Sequence, residues 1–385
     1  MANTLNLGDG NWATKEDSLL AYNSENNNYK PLPFDFIRSS SATVVNKAGL
    51  IETVGSGEPR IDYKDDSKGA LLLEPSRSNF ITYSQDFSNA GWNTSSTRSV
   101  DFVPTSTIDP QGKTNAYRIT STASNNQVAI FGSIILGQTY TNSIYVRRVL
   151  GSGNVILRNV NNEENNFQLS VSDGWKRIET SATSTSIFGR LYINLQTVGD
   201  VIEIWGGQVE QGSYATSYIP TQGSIASRSE DVCNNGGNDQ VINSTEGVLY
   251  VEIKGFTDAI TPSRYISLSK DGESGFNNTL VIQHRDNGTL RVYVNGSATA
   301  NIHFNIDIDF AENHKIAVLY KLNGYKLFVD GVEQSLFGTP VQTVFSGLDN
   351  LSFNLRTTGK WNGSIKDARV YNTELTDAQL QALTR

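Results

Sequence analysis

Apolar and polar positions alternate along most of this chain, a two-residue period that marks half-buried strands. In Val201-Ile-Glu-Ile-Trp-Gly206, the residues Ile202, Ile204 and Gly206 face away from Val201, Glu203 and Trp205. Tyr140-Thr-Asn-Ser-Ile-Tyr-Val-Arg147 sets Tyr140, Asn142, Ile144 and Val146 on one face, and Gly247-Val-Leu-Tyr-Val-Glu-Ile253 alternates likewise. Gly206-Gly207 predicts a bulge or a close approach of other backbone. Pro220 has no amide proton to give a ladder and ends its segment.

Further strands are predicted at 116–120, 128–135, 154–159, 167–171, 176–183 and 188–195. Short strands at spacings of about 8–15 residues between turn signals favour a sandwich over 76–230. Nearer the C-terminus, Asn287-Gly288 links 280–284 to 290–294, Asn323-Gly324 links 315–322 to 325–329, and Asp330-Gly331 turns again. Asn-Gly and Asp-Gly pairs suit two-residue hairpins, so 245–385 is predicted to be a second sandwich. Thr376 and Gln379 have the spacing of a capping box and predict one short terminal helix. The Ser-, Asn- and Gly-rich stretch 222–245 reads as a linker, with Cys233 in a loop.

Residues 1–75 offer only short strand candidates, at 42–45, 50–54, 60–63 and 70–73. Such strands do not bury a core alone. Their apolar companions Leu5, Leu7, Trp12, Leu19, Leu20, Phe34, Phe36, Leu71, Leu72 and Leu73 need a partner. The expectation is a homo-oligomer held through this region, because assembly removes open edges and exposed apolar area. The predicted fold is all-β. A short N-terminal attachment and oligomerisation region, 1–75, precedes two antiparallel β-sandwich (jelly-roll) domains, 76–230 and 245–385.

Composition narrows the function. The 385 residues carry 18% charged side chains and a net charge of −8, without the basic stripe that nucleic acid requires. No run of about 18 apolar residues predicts a membrane span. No basic segment followed by an apolar one predicts a secretory signal. A single cysteine makes no internal disulfide, which fits a protein made in a cytoplasm.

Three segments carry a resemblance. Gly206-Gly-Gln-Val-Glu-Gln-Gly-Ser-Tyr-Ala-Thr-Ser-Tyr-Ile-Pro-Thr221 resembles the close of a jelly-roll module in tailed-bacteriophage virion proteins, a module similar to carbohydrate-binding modules. Leu71-Leu-Leu-Glu-Pro-Ser-Arg-Ser-Asn-Phe-Ile-Thr-Tyr-Ser-Gln-Asp-Phe-Ser-Asn-Ala-Gly-Trp92 is a second matching piece, and Phe36–Glu52 with Pro59-Arg-Ile-Asp62 a third. The C-terminal third, with Asn313–Tyr320, Tyr325–Gly331 and Gly363–Leu380, resembles laminin-G-like, concanavalin-type lectin domains. The resemblance implies a tail or head fibre assembled in the bacterial host cytoplasm, a virion location, other virion proteins as partners and a trimeric state. It implies adsorption to bacterial surface glycans, with no membrane insertion.

Candidate chemistry points to binding rather than catalysis. His284, His303 and His314 lack metal-helix spacing, and His314 matches a structural position of the laminin-G-like pattern. Asn305-Ile-Asp-Ile-Asp-Phe310 resembles the signature of concanavalin-fold glycosidases, but Asn305 stands where the nucleophile would be. The run reads as a polar strand face, and Glu163-Glu164 point to opposite faces, so no catalytic residue is assigned and the protein is not expected to be an enzyme. A capsule depolymerase and a non-binding decoration protein are the rival readings. Sugar binding needs aromatic platforms and amides. Of the tryptophans at 92, 175, 205 and 361, Trp92 and Trp361, flanked by Gly and Asn, are expected to be exposed platforms, with Asn362 beside the second. Lectin-like sandwiches often hold calcium through oxygen ligands, and Asp271, Asp349 and Asn350 are the loop candidates. No other cofactor is expected.

Overall fold

The computed structural model describes the whole chain except residues 1–3, 16–17, 30–32, 94–99, 123–125, 257–262, 271–277, 296–300, 323, 336–344 and 356–358. The regular secondary structure of the described residues is nearly all β-strand, with one α-helix, Asp377–Thr384. Thr376 and Gln379 form its capping box as expected. The chain divides into two compact units. One comprises Ala42–Thr53 and Ser76–Ser229; the other comprises Met1–Ser41, Val54–Pro75 and Glu230–Arg385.

The first unit is a sandwich of two five-stranded antiparallel sheets. One runs in the order Trp92–Asn93, Asn126–Ser133, Phe188–Leu195, Val155–Arg158, Glu164–Phe167. The other runs Val100–Pro104, Tyr117–Ser121, Val201–Gln211, Thr139–Leu150, Lys176–Thr183. Alternate residues of both, among them Val128, Ile130, Leu191, Ile144, Ile202 and Ile204, fill one core. The strand expected at 167–171 is displaced to Glu164–Phe167, and Val171–Asp173 forms a 3-10 turn. Its Glu-Asn-Asn start hid it from an apolar-periodicity reading.

The motif closing this unit is a clasp. Gly206 sits at φ +64, and a Cβ there would lie 3.3 Å from the rings of Tyr145 and Tyr218. The pairing register shifts opposite it, between Ser143 and Tyr145, so the predicted bulge is present. Beyond it, Gln208 Oε1 accepts from the Ile219 amide at 2.7 Å. Glu210 accepts from the Thr216 amide at 2.9 Å and its hydroxyl at 2.6 Å. Asn79, from the second motif, donates to the Ile219 carbonyl at 2.9 Å and accepts from the Val209 amide at 3.2 Å. These motif side chains satisfy buried backbone groups, which makes them a signature of the fold.

The second unit stacks an eight-stranded sheet on a seven-stranded one. The larger is ordered Val332–Gln334, Gly324–Val329, His314–Lys321, Glu246–Gly255, Gly363–Tyr371, Ala70–Leu73, Ile61–Asp62, with Leu5–Gly8 also on Gly363–Tyr371. The smaller is ordered Asn301–Ile306, Leu290–Asn295, Thr279–His284, Arg264–Ser269, Gly359–Lys360, Asn354–Leu355, with Asn350–Ser352 paired to Arg264–Ser269. The hairpins at Gly288 and Asp330-Gly331 form as expected, with φ of +84 at Gly288 and +50 and +82 at the pair. Asn323 lies outside the described residues.

The expectation for residues 1–75 is corrected. The outer edge of Gly363–Tyr371 is filled in two halves, Leu5–Gly8 against Asp367–Val370 and Leu71–Leu73 against Gly363–Ile365. Leu5, Leu7, Leu19, Phe34, Phe36, Leu71 and Leu73 are 0–2% exposed in the same core as Leu249, Ile266 and Val292. Trp12 is half-buried and donates its indole N–H to the Lys68 carbonyl at 2.8 Å. These apolar residues do need a partner, and it is the C-terminal sandwich of their own chain. Ala42–Thr53 meanwhile joins the jelly-roll unit, where the Ile51 amide donates to the Pro110 carbonyl at 2.7 Å.

The linker also differs from expectation. Ala226–Arg228 pairs with Arg77–Asn79, Val232–Asn234 pairs with Pro33–Ile37, and the units change between Ser229 and Glu230. Cys233 is therefore in a strand, fully buried, and burial pushes its thiol pKa up. Beside it, fully buried Asp231 pairs with Arg38 at 3.0 Å and with Arg60, which also pairs with Glu74 at 2.7 Å.

Candidate functional site

The predicted sugar platforms are interior. Trp92 is 1% exposed, donates its indole N–H to the Tyr83 carbonyl at 2.8 Å, and lies 4.5 Å from the Phe87 ring. Trp361 is 0% exposed, near Phe310 and His284, and Asn362 is half-buried. Short Gly and Asn turns flank strands whose next residue turns into the core, so polar neighbours did not signal exposure. Trp205 is also buried, whereas Trp175 is half-buried and bonded to the Ile108 carbonyl at 2.9 Å.

Of the three proposed calcium ligands, Asp349 and Asn350 lie among the described residues. Asp271 lies outside the described residues. Asn350 donates to the Asn235 side chain at 3.1 Å and accepts from the Ser352 hydroxyl, and Asp349 is half-buried. Among the described residues no group of three or more His, Cys, Asp or Glu is arranged around a metal position.

The acidic run offers no dyad geometry. The strand Asn301–Ile306 ends before Asp307, so of the run's polar residues only Asn305 stands on it. Asp309 instead accepts from the Ala311 amide at 2.9 Å and shapes a turn. His314 is a tether, bonded to Asp330 at 2.6 Å and to the Asp309 carbonyl at 2.8 Å. His284 is 2% exposed and stacks on Phe310 at 3.6 Å; burial, and then Arg264, push its pKa down to about 3.

What does assemble is the outer face of the seven-stranded sheet. The core takes Ile266, Ile282, Leu290, Val292 and Phe304, so the alternate residues face out. Register aligns Lys360, Tyr265, Gln283, Arg291 and Asn305 in one row across five strands, with Tyr293 two residues from Arg291 on the same strand face. Gly359 lets the Tyr265 ring lie against the neighbouring backbone, since a Cβ there would be 2.1 Å from the ring. Gln283 is 9% exposed and donates to the Tyr265 hydroxyl at 3.4 Å. Tyr265, Arg291 and Tyr293 are half-buried and Asn305 is exposed.

Arg291 lies over the Tyr293 ring, its central carbon 4.7 Å from the centroid. Its Nε is buried without a hydrogen-bond partner, and among the described residues no carboxylate pairs with it. Burial, and then Arg285 nearby, push its pKa down. The face thus presents two tyrosines, two amides and an unneutralised guanidinium, the donor, acceptor and aromatic set that holds sugar rings. Sequence reasoning singled out none of these except Asn305, although Leu290-Arg-Val-Tyr-Val-Asn295 alternates plainly.

No curated protein matches the chain. Among solved structures, the carbohydrate-binding module CBM40 of a Ruminococcus gnavus sialidase, bound to α2,3-sialyllactose, is similar at 16% identity and TM-score 0.33, covering 40% of this chain and 94% of that one. Domain 4 of a GH43 extracellular arabinanase from Geobacillus stearothermophilus, in complex with arabinotriose, is similar at 16% identity and TM-score 0.33, covering 45% and 81%. A tandem CBM22 domain from Paenibacillus barcinonensis is similar at 11% identity and TM-score 0.27, covering 77% and 98%. Residues 255–381 match the family model described as the concanavalin A-like lectin/glucanases superfamily, so this part of the chain is a concanavalin-like domain.

Proposed function

We propose that this protein is a bacteriophage virion protein, a tail or head fibre, that binds glycans on the bacterial host surface. Glycan binding rests on one observation above the others. The outer sheet face within the concanavalin-like segment carries Tyr265, Tyr293, Gln283, Arg291 and Asn305 side by side. The virion assignment rests on the three motif segments, which occur in the order found in phage jelly-roll modules. Binding without cleavage is the activity proposed.

A fibre of this kind is expected to be trimeric, and linked weak sites then gain through effective concentration. Its contacts belong to surfaces other than the buried apolar residues of 1–75. Calcium enters the proposal only as a ligand of the loop at Asp349.

The full-length protein on a bacterial glycan array is the test, run with calcium and with a chelator. Retention of a set of glycans, lowered at least tenfold by Tyr265→Ala with Tyr293→Ala, supports the reading. No retention, or retention indifferent to both tyrosines, overturns this site. Antibody labelling of phage particles decides the virion role, and mass measurement in solution decides the trimer.

A further inference from the structure

The chain has a net charge of −8, so its surface arginines have ample carboxylates to pair with. Several do. Arg118 and Arg147 share Glu203 at 2.7 and 2.9 Å, and Arg369 holds Asp367 and Asp9. Arg291 departs from this pattern. It has no ion pair and no hydrogen bond among the described residues, and its Nε is sealed from solvent. The charged group that acts on it most strongly is another cation, Arg285.

An unpaired guanidinium beside a second one is electrostatically unfavourable in a resting surface. Stacking over Tyr293 holds its plane, and the sealed Nε leaves the two Nη groups as the available donors. Two parallel N–H donors match the two oxygens of a carboxylate. Tyr265 and Tyr293 put aromatic surface beside the guanidinium, and Gln283 and Asn305 give amides for hydroxyls.

Resting on the glycan-binding reading above, we propose that this face selects an acidic polysaccharide, with Arg291 taking the carboxylate of a uronic or sialic acid residue in a two-bond fork. Salt then weakens binding, since the contact is charged and open.

The test uses the full-length protein in affinity electrophoresis and isothermal titration against polygalacturonate, polysialic acid, fully methyl-esterified polygalacturonate, dextran and a wall teichoic acid. Retardation by one or both of the carboxylate polymers, absent with the ester and weakened by salt, supports the proposal. Arg291→Ala should weaken that binding at least tenfold and Arg291→Lys should restore only part of it, because a lysine keeps the charge without the fork. Thermal melts of both variants are expected to match the parent, so loss reports binding. Equal binding of ester or dextran overturns the acidic selectivity while leaving glycan binding in place. Stronger binding of teichoic acid than of either carboxylate polymer replaces carboxylate by phosphate and overturns the assignment. Binding of none of the five overturns both readings, and an Arg291→Ala variant that binds as the parent does removes Arg291 from the site.

Discussion

Two sheet faces of this chain carry the same arrangement with opposite electrostatics. On the five-stranded sheet of the jelly-roll unit, Arg158 lies 4.7 Å over the Tyr192 ring. On the seven-stranded sheet of the concanavalin-like unit, Arg291 lies 4.7 Å over the Tyr293 ring. In both, Nε is buried and unpartnered. The difference is the other end of the guanidinium. Arg158 donates to Glu164 at 2.6 Å and to Asn162 at 3.2 Å, whereas Arg291 donates to nothing among the described residues. One face is neutralised by its own chain and the other is left to be neutralised by something else. An aromatic–arginine pair is therefore an incomplete sign of a site; whether a carboxylate of the fold already answers the cation is what separates them.

Pairing should matter most where burial is complete. Asp231 holds Arg38 and Arg60 with all three side chains at 0% exposure. Asp231→Asn leaves two cations short of a buried partner, and about 3–5 kcal/mol of stability should go. Urea unfolding of parent and variant checks this. A loss under 1 kcal/mol would mean that buried cations in this chain tolerate solitude, and the contrast between Arg158 and Arg291 would lose its meaning.

A neutral buried base gives the next effect. Unfolded His284 takes up a proton near its usual 6.5, while folded His284 stays neutral down to about 3. The unfolded state thus binds the extra proton in this window. Stability is complete above about 6.5 and is lost as pH falls towards 3, by up to about 2 kcal/mol at pH 5. Asp367, pushed up to about 6 by burial, has the opposite slope, since its contribution is present at low pH and is lost as pH rises through 6. Comparing the parent with His284→Phe isolates the histidine, and the variant should lose less stability between pH 7 and 5. Parallel curves would refute the assignment.

Much of this was legible in the sequence, but unevenly. Alternation and Asn-Gly turns revealed the two sandwiches, and the hairpin at Gly288 contains the information that sets Gln283 opposite Arg291. Trp92 and Trp361 misled because flanking Gly and Asn mark turns rather than the direction of the next side chain. The pairing of Leu5 with Val370 joins residues at opposite ends of the chain, and no local pattern in either strand names its partner. The same holds for Arg291: its isolation is a fact about what does not approach it, which only the folded sheet displays.

Arg291 itself should matter little to folding. Removing a half-buried cation that has no ion pair among the described residues, as in Arg291→Ala, should change stability by less than about 0.5 kcal/mol in a denaturant titration. A loss above 1.5 kcal/mol would show that its stem is needed by the sheet, and would recast it as a packing residue.

The smallest effect is the most discriminating. Glu164→Gln removes the carboxylate from Arg158 and keeps the shape of the side chain. The pair is partly open, with Arg158 at 19% and Glu164 at 41% side-chain exposure, so stability should fall by less than about 1 kcal/mol. The jelly-roll face would then resemble the other one, an arginine over a tyrosine with no carboxylate to answer it. In an Arg291→Ala background, Glu164→Gln should restore weak, salt-sensitive retardation in polygalacturonate gels. Asn162 still accepts from Arg158, so the recovery should be partial. If the double variant moves as freely as Arg291→Ala alone, pairing is not what distinguishes the two faces, and the row formed by Tyr265, Gln283 and Asn305 supplies what the jelly-roll face lacks.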